Sequence, residues 1–153
     1  MNRELIEQYA AGAVKLRASI AGLTREQLNA CPVSGTWTIQ QIVIHMMDSD
    51  LIGSDRMKRV AAEIKVPTLI GYDETAFANG LFYDQLDPQA ACDVFEKNRQ
   101  LTAEILRRLP EGSFDRTGNH NEHGRMTLAE LVDSYVGHLE HHLKFIRTKR
   151  EMV

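Results

Sequence analysis

Between Leu128 and Phe145 the apolar positions advance by three and four residues, through Leu128, Leu131, Tyr135, His138, His142 and Phe145. The stretch reads as one face of a helix, and two histidines stand on it. They are four residues apart, adjacent along the axis, at places where a bundle ordinarily sets leucine. Imidazole withdrawn from water needs a compensating partner, and two basic rings side by side satisfy one another poorly unless something electrophilic lies between them. The segment Tyr135 to Ile146, YVGHLEHHLKFI, is therefore a candidate half of a metal site. A third histidine, His45, lies in another helical pattern, WTIQQIVIHMMDSD. Three imidazoles from two facing helices would leave coordination positions open for water or substrate.

The rest of the chain reads as the scaffold that brings these together. Leu5, Tyr9, Ala13, Leu16 and Ile20 predict an amphipathic first helix over residues 3–21, ended by Gly22. Thr24 with Gln27 is a capping box that starts a short turn of helix before Pro32. Thr38 with Gln41 is a second box, opening a helix from Ile39 to Ala62 whose dense apolar content demands cover on most sides; Trp37, just before the cap, is placed to act as a hydrophobic staple. Pro67, Gly71 and Gly80 then forbid a long helix, and the crossover 64–80 is too long for a tight hairpin, so the second and third helices run parallel. Asp87 and Pro88 open a third helix that continues to Leu109. A polar loop over 111–126 holds His120 and His123, and Thr127 with Glu130 opens the last helix, which runs to Arg150. No segment shows a strand pattern. The prediction is an all-α four-helix bundle forming a single domain over residues 1–153.

Charge and composition exclude several classes of function. With 153 residues, 43% of them apolar, the chain is long enough to bury a core without disulfides. A net charge of −3 offers no basic footprint for nucleic acid, no apolar run reaches membrane-spanning length, and the N-terminus lacks the apolar core of a signal peptide. A cytoplasmic location is expected, with Cys31 and Cys92 reduced.

The order of these motifs resembles the DinB/YfiT-like superfamily. The match lies in Trp37, Thr38, Ile39, Gln41, Ile42 and then His45; in Gly124, Thr127, Leu128, Glu130 and Leu131 at the opening of the fourth helix; and in His138, His141 and His142 within it. The resemblance implies a four-helix bundle of up-down-down-up topology. It also implies a divalent metal, zinc or nickel first and manganese or iron next, held by His45, His138 and His142. The better characterised relatives are transferases or isomerases using low-molecular-weight thiols such as bacillithiol, mycothiol or glutathione. On that footing the expected partners are a small-molecule thiol or an electrophile. The expected function is an S-transferase or related hydrolase, against the alternative of a non-catalytic stress-associated bundle whose metal is structural or absent.

Asp48, one turn after His45, and Glu140, between the paired histidines, are candidates to orient a ligand imidazole or act as a base, or are simply solvated carboxylates. His141 lies about 100° round the helix from His142 and reads as a flanking residue. His120 and His123 read as exposed unless their loop folds over the bundle's mouth, and the terminal run KFIRTKRE reads as a solvated helix end. Apolar surface on the first two helices suggests a homodimer.

Overall fold

The computed structural model describes residues 2–153. In chain order it contains α1 (Asn2–Ala11), a 3-10 turn (Gly12–Val14), α2 (Lys15–Ile20), α3 (Arg25–Asn29), α4 (Ile39–Ala62) and β1 (Thr68–Leu69). There follow α5 (Glu74–Gly80), α6 (Pro88–Arg108), a 3-10 turn (Glu111–Asp115), β2 (Thr117–His120), β3 (Gly124–Thr127) and α7 (Leu128–Arg150). The α3, α4 and α7 helices each open on a reciprocal capping box, from Thr24, Thr38 and Thr127, which satisfies two of the orphan donors of a first turn.

Side-chain pairs along the helices establish the topology. Glu7 meets Arg107 and Arg17 meets Glu96, so the first helical rod runs antiparallel to α6. Lys15 meets Glu140 while Arg150 reaches the carbonyls of Ser19 and Ala21, so that rod runs parallel to α7. Gln40 at the start of α4 bonds the carbonyl of Leu86, just before α6, so α4 and α6 are parallel, as the long crossover required. The result is a four-helix bundle with up-down-down-up order.

The first rod departs from the uniform helix expected over 3–21. At Gly12 an added Cβ would lie 2.4 Å from Arg99 Nη1 and 2.8 Å from a Leu139 methyl, so only glycine admits this approach. The Arg99 guanidinium also takes the Tyr9 carbonyl as acceptor at 3.2 Å. A short 3-10 turn stands where that side chain enters.

Two apolar clusters fill the bundle, one holding Leu16, Ile44, Met46, Phe95 and Leu139, the other Tyr9, Met57, Leu106 and Leu131. A polar layer lies between them. Arg99 Nε donates to Asp50 Oδ1 at 2.9 Å with both side chains 1% exposed, and Nη2 donates to the Tyr135 carbonyl at 2.8 Å. The guanidinium stacks on the Tyr9 and Phe95 rings at 4.4 and 4.8 Å. Asn98 adds a 2.9 Å bond to Asp50 Oδ2. One residue from each of the four bundle helices is thereby joined at mid-height.

The loops hold a small sheet absent from the sequence expectation. Strand β1, from the 64–80 crossover, pairs parallel to β2, which pairs antiparallel to β3, in the order β1-β2-β3. Strands of two and four residues carry too little alternation to read, and their pairing joins segments about fifty residues apart. Among the described residues no helix is long and apolar enough to cross a membrane.

Candidate metal centre

Three histidines meet just above the polar layer. His45 is carried by α4, which places it five residues before Asp50; His138 and His142 are carried by α7, the first of them three residues after Tyr135. His45 Nε2 faces His138 Nε2 at 3.2 Å, and the ring centroids of His45 and His138 lie 4.8 and 4.6 Å from that of His142. Their ligand atoms all fall within 4.8 Å of one another, the spacing of groups that share one cation. His45 is fully buried, packed beneath Trp37 with centroids 4.9 Å apart. The same indole packs against the apolar cluster that contains Ile42, the fourth residue of α4.

Burial suits these rings to a metal. Desolvation, then the neighbouring His142 and His138, pushes His45 down to about 3. Desolvation also leads for the other two, with His142, His141 and Arg99 adding for His138 and His141 adding for His142; both are pushed down to about 4. The rings are therefore neutral near pH 7, the form that ligates. His142 Nδ1 is buried and has no hydrogen-bond partner among the described residues, a cost that a shared cation would remove by drawing the three rings together. The donor set fits a divalent ion. Among the described residues no cysteine or carboxylate joins the group, so an ion held by these three imidazoles would keep a position open, as in catalytic rather than structural sites.

A pH dependence follows for the metal-free protein. In the unfolded chain these rings titrate near 6.5, whereas in the folded protein they do so only at about 3 to 4. Between those values the unfolded state binds more protons, so stability falls as pH is lowered through the window. By pH 4 the loss amounts to roughly a few kcal/mol for the coupled triad as a whole. Denaturant midpoints of chelated protein should fall steadily from pH 7 to pH 4.5, and a flat profile would count against burial of neutral rings.

Other predicted residues are placed less centrally. Tyr83 donates to Asp48 Oδ2 at 2.5 Å, and Glu140 pairs with Lys15, so neither carboxylate bonds a triad imidazole. His141 is exposed, its ring 5.4 Å from that of His142. Lys149 departs from the solvated helix end: it is only 6% exposed. His120 also departs from the exposed reading, at 5%, because β2 carries it under the loop. His120 Nδ1 accepts the backbone N–H groups of Glu122 and His123 at 3.1 and 3.3 Å. Its ring proton is thereby fixed on Nε2, so His120 offers a donor rather than a lone pair, although His120, Glu122 and His123 lie close enough to surround a cation.

Two clefts reach the triad from different sides. A polar one of about 180 Å³ touches His138 and is walled by Arg56, Tyr72, Glu74, His120 and Tyr135. An apolar one of about 370 Å³ touches His142 and is walled by Trp37, Ile42, Phe145 and Lys149. Tyr72 and Arg56 were not foreseen. Tyr72 Oη lies 3.5 Å from His45 Nδ1, poised to orient that ring, and burial pushes its phenol up to about 12, so it stays protonated. Arg56 donates to Tyr135 Oη at 2.9 Å and to the Ile70 carbonyl, while its buried Nε has no partner among the described residues.

Comparison with known proteins agrees with this architecture. A relative from Oceanobacillus iheyensis is 29% identical over 131 residues, spanning 86% of this chain and 75% of its own. YfiT from Bacillus subtilis is 28% identical over 144 residues, spanning 94% and 79%. Both are named, by inference, metal-dependent hydrolases. The solved structure of YfiT superposes with a TM-score of 0.90 at 26% identity, covering 97% of this chain and 85% of YfiT. A mycothiol-dependent maleylpyruvate isomerase superposes with a TM-score of 0.74 at 12% identity, over 94% of this chain and 60% of the isomerase, a likeness of fold alone. The family description of the DinB superfamily matches residues 8–146, from the first helical rod to a point in α7 beyond His142, and this chain belongs to that superfamily.

Proposed function

We propose that the protein is a metal-dependent enzyme that joins a low-molecular-weight thiol to an electrophile, with His45, His138 and His142 as ligands of zinc or nickel. The observation that carries this reading is the pair of clefts: two sites of opposite character touch different ligands of one triad, as a two-substrate reaction needs. A divalent ion held by three neutral imidazoles supplies Lewis acidity, lowering the pKa of a thiol or water that coordinates it.

The chain's own residues would position the substrates. In the polar cleft Arg56 and the Nε2–H of His120 suit a carboxylate, while Glu74 and Glu122 suit an ammonium, so the wall complements an amino-acid-derived thiol such as glutathione or bacillithiol. Tyr72 and Tyr135 add hydroxyl donors there. The protein's own thiols are unsuited to the chemistry, since Cys31 lies outside the triad group and burial pushes Cys92 up to about 11. The apolar cleft would receive the electrophile.

The test is conjugation of monochlorobimane to bacillithiol or glutathione by metal-loaded protein, run beside ester hydrolysis without thiol. A metal-dependent rate that saturates with thiol is expected. Ester hydrolysis that proceeds equally well without thiol would instead assign water as the nucleophile, and no metal-dependent turnover with either would overturn the enzyme reading.

A further inference from the structure

The apolar cleft is bounded at one end by Lys149, a cation with no carboxylate partner among the described residues. Lys149 lies two turns beyond His142 on α7, about 10 Å along the axis. Its side chain is nearly enclosed, and Nζ has one bond, to Thr36 Oγ1 at 2.6 Å. Thr36 Oγ1 spends its own proton on the Val33 carbonyl at 2.7 Å, so it serves the ammonium only as an acceptor. Among the described residues the other two ammonium donors have no hydrogen-bond partner. Among the described residues no carboxylate approaches Lys149 within 4.0 Å, whereas the buried Arg99 has Asp50. A buried ammonium without a counter-ion is costly unless a ligand supplies one. The wall between Lys149 and His142 is formed by Trp37, Ile42 and Phe145. The cleft thus has an apolar middle, a cation at one end and a candidate metal ligand at the other.

We propose that this cleft binds a substrate whose apolar segment ends in a carboxylate, with Lys149 taking the carboxylate and the reacting end lying at His142. The placement of the reacting end rests on the metal-enzyme reading above; the binding of the carboxylate does not. The ligand class is a medium-chain carboxylate or a derivative that keeps its far carboxylate free. Charge makes the selection: an ammonium with two open donors gains charge-assisted bonds from a carboxylate that it cannot gain from an alcohol of equal length.

The chain carries a single tryptophan, and it lines this cleft, so its fluorescence reports occupancy directly. The experiment is titration of the full chain with octanoate and with octanol, both metal-loaded and chelated. Octanoate should bind roughly tenfold more tightly than octanol in both forms. Lys149→Gln retains a donor for Thr36 and removes only the charge; it should bring the two ligands to near parity while leaving octanol affinity unchanged. Lys149→Arg should keep the preference. Equal binding of both ligands by the natural chain, or a preference that survives in Lys149→Gln, would overturn the proposal. So would a preference that disappears on chelation, since the head group would then be held at the triad. A preference intact in a protein without turnover would leave the carboxylate site standing and count against the enzyme reading alone.

Discussion

Replacement of Arg99 by methionine should destabilise the bundle by about 3–5 kcal/mol, the cost of leaving a buried carboxylate without its partner. Asp50 is 1% exposed, and burial pushes its pKa up while Arg99 opposes that shift, so loss of the guanidinium leaves desolvation unopposed by charge. The substitution also removes the donor to the Tyr135 carbonyl and the stacking on Tyr9 and Phe95. For a chain of this length the thermal midpoint should drop by roughly 10–15 °C. Pairing Arg99→Met with Asp50→Leu should recover much of the loss, because an apolar pair no longer holds an uncompensated charge. Surface replacement Arg107→Gln, which breaks only the exposed pair with Glu7, should hardly move the midpoint. Equal effects of the core and surface variants would show that the polar layer does not hold the bundle.

Removal of one triad imidazole should have the largest effect on function. Untagged protein is expected to carry near-stoichiometric metal by mass spectrometry, and His142→Ala very little. Even partners outside the ligand set change metal affinity by roughly 10–100-fold, so loss of one ligand in three should exceed about 100-fold. Thiol conjugation should fall with metal content. His141→Ala and His123→Ala serve as controls, since both side chains are exposed and outside the triad, and should retain metal. The natural chain failing to take up zinc, nickel or manganese would defeat the assignment, and its buried imidazoles would need another account. The polar layer makes a second comparison useful: Arg99 bonds the Tyr135 carbonyl three residues before His138, so Arg99→Met should weaken metal binding without touching a ligand.

Much of this molecule was legible because its signals are local. The capping boxes at Thr24, Thr38 and Thr127 and the Asp87–Pro88 start each lie within four residues, and all form as read. His45, His138 and His142 stood out because they occupy an apolar stripe, where a polar ring needs a reason. What escaped was non-local. Asp50 and Arg99 look like ordinary helix charges until tertiary packing encloses both. Tyr72 and His120 belong to loops with no period, ordered by a sheet whose strands are too short to announce themselves. Lys149 read as a solvated helix end because nothing nearby in sequence reveals that the loop at Thr36 closes over it.

The route of the chain through the bundle governs when its chemistry becomes available. His45 and His138 are 93 positions apart, and the intervening crossover, α6 and the small sheet must be traversed before the two rings meet. Contacts of such long range pay their loop-closure entropy before they return any stability, and they form late. During synthesis a growing chain would expose His45 alone until the last helix emerged, so it could not assemble the triad early. Metal uptake at the triad would then require α7 to have packed against α4, which ties the proposed site to the long-range closure of the bundle.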